Sequence, residues 1–378
     1  MKHIVILGST GSIGTQALDI ISRLPERFKV VGLAANSNVA LLAEQCLKYN
    51  VREVSVGSEA RAEELTELLG GKASIHVGVE GMCELATLPE ANLVVVSVSG
   101  AVGIKPTHAA IEAGKTIALA SKEVLVAAGE YTMRTAREKG VAILPIDSEH
   151  SALFQSLQGS PEKSIEKLFL TASGGPFRLT PLKDLENVTP EQALKHPTWN
   201  MGGLVTINSA TMFNKGLEII EAKWLFDVPV EDVQVVIHPQ SILHSGVRFK
   251  DGSVIAQLGL PDMRLPIQYA LIYPERPDTG LPRLDLGIVG SLTFETPDEA
   301  KFPALGLARA AVKAGGTMPA VMNAANEVAV ARFLRHEIPY LGIMRIVEKV
   351  MQRHSVLEQT YENVLEVDIR AREEAGVI

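Results

Sequence analysis

Between residue 2 and about residue 145, short apolar runs rich in β-branched side chains alternate with stretches of helical period. The runs are HIVIL, KVVGLA, EVSV, NLVVVSV, KTIALA and VAILP. A strand covered by helices on both faces reads as a continuous apolar run, so this alternation predicts a doubly wound parallel sheet of Rossmann type. After 145 the rhythm changes. EKLFLTAS, VQVVIHP, SGVRF and SVIAQL read as strands with helices between them, the last two forming a hairpin through Lys250-Asp251-Gly252. Residues 273–299 are rich in Pro and polar side chains, as linkers are. Four segments of helical period follow. The expected organisation is an α/β protein with a dinucleotide-binding domain over 1–145, a mixed α+β catalytic domain over 146–272, a linker over 273–299 and a C-terminal helical bundle over 300–378.

Composition narrows the partners. The 378-residue chain is 46% apolar and carries a net charge of -8. Nothing basic advertises a nucleic-acid groove or a membrane face, so any anion site has to be built locally. No run is long enough to span a membrane, and the N-terminus runs from a short strand into glycines without the features of a signal peptide. Cys46 and Cys83 make no disulfide framework and are expected to be buried thiols of a cytoplasmic protein.

The first strand leads directly into GSTGSIG, with Gly8, Gly11 and Gly14 three apart. Glycines there let the backbone turn tightly and approach a pyrophosphate that rests on helix N-terminal amides; Thr10 and Ser12 add hydroxyls. An NAD site normally places an acid at the end of the second strand, but this chain has Asn36, Ser37 and Asn38 there. Without that acid nothing repels a 2′-phosphate, which favours NADP.

PIDSEH ends the last strand of the alternating region. If the chain stays extended, Asp147 and Glu149 point to one side, and close like charges need a cation between them. The alternative is a helix start, with Asp147 or Ser148 as cap and Glu149 in the first turn. A second polar cluster lies in NSATMFNKGLEIIEAKWLF, expected to be helical onward from an N-cap at Ser209. Helical period gathers Asn214, Lys215 and Glu218 on one side, away from Phe213, Leu217, Ile220 and Trp224. That side could line a cleft or be a solvated face with a Lys–Glu pair. Asp147, Glu149 and Glu218 together would make an oxygen-only site suited to a single Mg²⁺ or Mn²⁺ ion. Ser173 before Gly174 and Gly175, with Ser209, Asn214 and Lys215, could build a phosphate pocket. KHPTWNMGG puts His196, Trp199 and Met201 in a loop over about 195–203 that reads as a movable lid.

GSTGSIG, SKE, DSEH, TASGGPFR, HPTWNMG, INSATMFNKGLE, HPQSILH, PDMRLPI and NAANEVAV occur in this order along essentially the whole chain. Together they resemble the 1-deoxy-D-xylulose 5-phosphate reductoisomerase family. The resemblance implies NADPH- and divalent-metal-dependent conversion of that phosphorylated ketose to 2-C-methyl-D-erythritol 4-phosphate in non-mevalonate isoprenoid precursor synthesis, by a homodimer. It implies metal ligation by Asp147, Glu149 and Glu218, and substrate contacts from Lys122, Ser148 and Glu149. On the phosphate side it implies Ser173, His196, Ser209, Asn214 and Lys215. Cofactor positions match at Thr10, Gly11, Ser12, Ile13, Asn38, Glu123 and Gly202, with Met263 near the nicotinamide and Trp199 as the lid aromatic. Lys122 and Glu149 are the candidates for proton handling. The chain departs from family patterns at Asn36-Ser37-Asn38, where some members have Gly-Lys-Asn, and at Ser121, where many have Asn.

Two rivals are weaker. A semialdehyde dehydrogenase needs a nucleophilic cysteine in the second domain, and neither Cys46 nor Cys83 lies there. A non-catalytic NADP-binding module would have no use for three acids beside phosphate donors.

Overall fold

The computed structural model describes residues 1–195 and 202–378. The chain divides into two compact units, one of residues 1–124, 132–151 and 262–282, the other of residues 125–131, 152–261 and 283–378.

The first unit is built on a parallel sheet. Its strands are β1 (Lys2–Leu7), β2 (Phe28–Ala34), β3 (Glu53–Val56), β4 (Ser74–Val77), β5 (Leu93–Val96), β6 (Thr116–Leu119) and β7 (Ile143–Pro145). They are ordered β4-β3-β2-β1-β5-β6-β7. The chain winds outward from β1 in both directions, so β1 and β5 flank the switch point where α/β sheets open a crevice at their carboxyl ends. Six strands were legible as apolar runs. β4, Ser74-Ile75-His76-Val77, was not, because as an edge strand it needs no apolar run and its residues are only half-buried or exposed.

The second unit holds β8 (Ile165–Ala172), β9 (Val233–Ile237), β10 (Leu243–Phe249) and β11 (Val254–Leu258), ordered β11-β10-β8-β9. β10 and β11 form the expected antiparallel hairpin, and β8 runs parallel to β9. The helix Phe213–Phe226 packs on this sheet, with Ile219 and Ala222 in one core with Leu168, Leu170, Val233 and Val235. Leu305, from the helix Ala304–Ala314, joins the same core. The helices Met318–Leu334, Tyr340–Arg353 and Tyr361–Val377 also belong to this unit.

These divisions differ from the expected boundaries. Residues 262–282, read as the end of the catalytic domain and the start of a linker, pack with the first unit. Long-range polar contacts explain it: Arg264, steadied by its neighbour Asp262, reaches Asp19, Lys2 donates to the Leu271 carbonyl at 3.0 Å, and Arg23 donates to the Thr279 carbonyl at 2.9 Å. Periodicity within a segment carries no information about which distant segment it will pack against. Among the described residues no helix is long and apolar enough to cross a membrane.

Candidate active site

In the first unit, the glycine turn follows β1 at the switch point. Gly8 adopts φ +90°, and a Cβ there would lie 2.6 Å from the Ser97 carbonyl oxygen. A Cβ on Gly14 would lie 2.3 Å from the Gly8 carbonyl oxygen, so the helix Ser12–Arg23 can start only with glycine there. Gly11 and Ser12 are exposed, and Thr10 and Ile13 half-buried, at the amino end of this helix, where free amides attract an anion. Asn36, Ser37 and Asn38 are exposed after β2, and Asn38 caps the helix Val39–Tyr49 by accepting from the Leu41 amide at 3.2 Å. Ser121 and Glu123 brace the loop after β5: the Ser121 hydroxyl donates to the Val98 carbonyl, and Glu123 accepts from the Gly100 amide at 3.0 Å. Met263 is half-buried at the start of the helix Arg264–Ile272. The thiol of Cys46 is buried and pushed up to about 11 by desolvation, and that of Cys83 is also raised, first by burial; neither is an activated nucleophile.

β6 and β7 are parallel neighbours, so the residues just beyond their carboxyl ends lie side by side. That brings Lys122 against Asp147, and the two form an ion pair. The carboxylates themselves are arranged as a helix start, which replaces the extended geometry suggested above. The helix Ser148–Ser156 begins after Asp147, whose carboxylate accepts from the Glu149 amide at 3.3 Å, while Ser148 donates to the Glu149 carboxylate. His150 Nδ1 lies 3.9 Å from Asp147. Burial opposes ionisation of Asp147, but Lys122 and His150 outweigh it and hold the carboxyl well below the usual carboxylate range. Asp147 is thus a stable anion at neutral pH.

In the second unit, the polar cluster is divided differently from the single helix expected. Ser209 does not cap the helix that carries Lys215; it lies near the end of a separate helix, Gly203–Ala210, preceded by the exposed Gly202. Apolar residues before Ser209 extend helical structure backward, and Met212 at φ +60° breaks it before the helix Phe213–Phe226. Left-handed backbone is costly for a residue with a Cβ, and here the Met212 side chain is held in the core. On the second helix Glu218, 1% exposed, accepts from Asn214 and pairs with Lys215. Glu221 is buried one turn on. The TASGG turn meets the first helix: Gly175, at φ +68°, would put a Cβ 2.7 Å from the Ser209 carbonyl oxygen, and its amide donates to Ser173 Oγ at 3.3 Å. Ser173 and Ser209 are both half-buried. His196, Trp199 and Met201 lie outside the described residues.

The sequence allowed a Lys215–Glu218 pair only as a solvated face, whereas the pair is buried, and it gave no sign that Lys122 pairs with Asp147. The signal available for Lys122 was its place just beyond a parallel strand's carboxyl end, where α/β sheets collect functional groups.

Family models match most of the chain. The model for 1-deoxy-D-xylulose 5-phosphate reductoisomerase covers residues 4–129, that for its C-terminal domain residues 143–226, and a DXP reductoisomerase C-terminal domain model residues 258–374. The reductoisomerase of Pelotomaculum thermopropionicum is 56% identical over 98% of this chain and 97% of its own, and that of Symbiobacterium thermophilum is 58% identical over 95% and 93%. Solved structures agree: the Zymomonas mobilis enzyme in complex with NADPH has a TM-score of 0.94 at 42% identity, covering 100% of this chain and 98% of that one. A DOX-P reductoisomerase in complex with NADPH, fosmidomycin and magnesium has a TM-score of 0.95 at 39% identity, with the same coverage. The chain therefore belongs to the 1-deoxy-D-xylulose 5-phosphate reductoisomerase family.

Proposed function

We infer that the protein is an NADPH- and divalent-metal-dependent oxidoreductase that converts 1-deoxy-D-xylulose 5-phosphate to 2-C-methyl-D-erythritol 4-phosphate. The observation that carries this is identity above half over nearly the full length of relatives that bear that activity as their name. The reaction is a carbon-skeleton rearrangement, by retro-aldol cleavage and aldol re-addition, followed by reduction of the resulting aldehyde.

Asp147, Glu149 and Glu218 would hold the ion. Carboxylate oxygens alone are the donor set that Mg²⁺ and Mn²⁺ favour, and the ionised state of Asp147 fits that role. When bound, the ion supplies Lewis acidity to neighbouring substrate oxygens and NADPH supplies the reducing equivalent. The chain's own groups do the rest. Lys122, beside Asp147, holds a proton within reach of a substrate oxygen and with Ser148 and Glu149 orients the carbon backbone. Ser173, Ser209, Asn214 and Lys215 offer hydroxyl, amide and ammonium donors to the phosphate. Thr10, Gly11 and Ser12, at the amino end of the helix Ser12–Arg23, receive the cofactor pyrophosphate, and the acid-free Asn36-Ser37-Asn38 stretch accepts the 2′-phosphate of NADPH. We further propose a cytoplasmic homodimer that needs no membrane or nucleic-acid partner.

Adding 1-deoxy-D-xylulose 5-phosphate to enzyme and NADPH is expected to consume NADPH, and EDTA to stop it until Mg²⁺ or Mn²⁺ is restored. Full consumption in excess EDTA would overturn the metal-dependent reading.

A further inference from the structure

Ser209 is flanked by two neighbours that are tied to the helices of the C-terminal region. Asn208, just before it, is buried, and its Oδ1 accepts from Asn326 Nδ2 at 2.9 Å. Asn326 lies on the helix Met318–Leu334 and is 0% exposed. Ala210, just after Ser209, ends its helix, so its carbonyl has no partner within that helix. The Tyr340 hydroxyl fills that place at 2.6 Å from across the unit. Tyr340 is itself buried, with its ring edge-on to Phe177 at 5.2 Å and to Phe333 at 6.0 Å. Burial raises its phenol, so at working pH it is a neutral donor. On the remaining side Gly175 abuts the Ser209 carbonyl.

A pair of buried amides is a poor way to gain stability. Asn326 Oδ1 is buried with no hydrogen-bond partner among the described residues, and an unmet buried acceptor costs free energy that an apolar side chain of similar size would not. What the amide and the phenol do provide is direction: Asn326 donates to Asn208 Oδ1 and Tyr340 to the Ala210 carbonyl, each along a fixed line. Between these two anchors Ser209 remains half-buried.

We propose that Asn326 and Tyr340 are positioning residues that act through Asn208 and Ala210 to fix the Ser209 hydroxyl for the substrate's phosphate. The inference rests on the reading of Ser209 as a phosphate contact given above. Through these contacts the C-terminal helices set phosphate affinity while touching no substrate.

The test is steady-state kinetics of full-length Tyr340→Phe, Asn326→Ala and Ser209→Ala, with inorganic phosphate as a competitive probe. Tyr340→Phe keeps the ring packing and removes only the hydroxyl, so it stays informative if Asn326→Ala fails to fold. In Tyr340→Phe, KM for the ketose phosphate and Ki for inorganic phosphate should rise together, by roughly fivefold, the scale of one hydrogen bond. Its kcat and its KM for NADPH should stay within about twofold of the parent, a split that general loosening of the fold would not produce. Unchanged KM and Ki in Tyr340→Phe, or a fall in kcat with Ki unmoved, would overturn the positioning role. If Ser209→Ala raises Ki while Tyr340→Phe does not, the positioning role alone falls. If Ser209→Ala leaves Ki unchanged, the phosphate reading of Ser209 falls and the positioning role with it.

Discussion

In the first unit Lys122 and Asp147 meet with 17% of each side chain open to solvent, whereas in the second Lys215 and Glu218 meet with 5% and 1% open. The chemistry of the two pairs is the same and the surroundings are not. Solvent, His150 and the Glu149 amide share the charge of Asp147. Glu218 has little water to fall back on, and a buried charge that loses its partner is expensive. A carboxylate that is to trade a lysine for a metal ion is therefore freer in the first unit, and one whose position must not vary is better fixed in the second.

The largest expected effect tests that contrast directly. Lys215→Met should destabilise the protein by about 3–5 kcal/mol, the cost of stranding a buried charge. Lys122→Met should cost about 2 kcal/mol at most, the scale of one charged hydrogen bond. Urea unfolding of both variants measures this, and equal losses would erase the distinction drawn between the pairs.

Next in size is a pH effect confined to the first unit. Asp147 is held below the ordinary carboxylate range, so the stability it contributes is present above its unfolded pKa and is lost only as pH falls below that range. His108 behaves oppositely. It is buried against Thr132 at 2.9 Å, and desolvation lowers its pKa to about 4 despite the opposing pull of Glu112. The unfolded chain then binds more protons than the folded one between pH 6.5 and about 4, so stability falls as pH drops through that window. The size is roughly 3 kcal/mol. His108→Gln should flatten the unfolding free energy over this range, and an unaltered acid slope would remove His108 as its source.

Glu218→Gln keeps the shape and removes the charge. Turnover should fall at least about a hundredfold while NADPH affinity stays near the parent value, as expected when a preorganised charge is lost. Near-full turnover at saturating Mg²⁺ would show that this carboxylate has no part in the chemistry.

The smallest expected effect is a control. Arg345 and Glu186 form a two-pronged pair at 3.0 Å, but both side chains are largely exposed. Arg345→Ala should change stability by less than about 1 kcal/mol. A larger loss would mean that exposure is a poor guide to the worth of ion pairs in this molecule.

What could be read from the chain follows the physics of each region. The parallel sheet was legible because burial on both faces writes apolar runs into the sequence; edge strand β4, half-buried at most, left no such mark. The glycine turn was legible because Gly8 and Gly14 leave no room for a side chain. The second unit's donors were found as residue types, but their arrangement was not. No periodicity announces that Met212 takes φ +60° and splits one expected helix into two, whereas the helix start at Asp147 was legible as the capping alternative to an extended chain. The return of residues 262–282 to the first unit depends on Arg264, Lys2 and Arg23 finding partners far along the chain.

The central proposal is that Asp147, Glu149 and Glu218 hold one divalent ion. Titration of Mn²⁺ followed by electron paramagnetic resonance, on the parent, Asp147→Asn and Glu218→Gln, tests it without relying on turnover. The account predicts a single tight site per chain that is weakened by at least about tenfold in each variant, since either removes a charged ligand. Undiminished Mn²⁺ affinity in folded Glu218→Gln would contradict it.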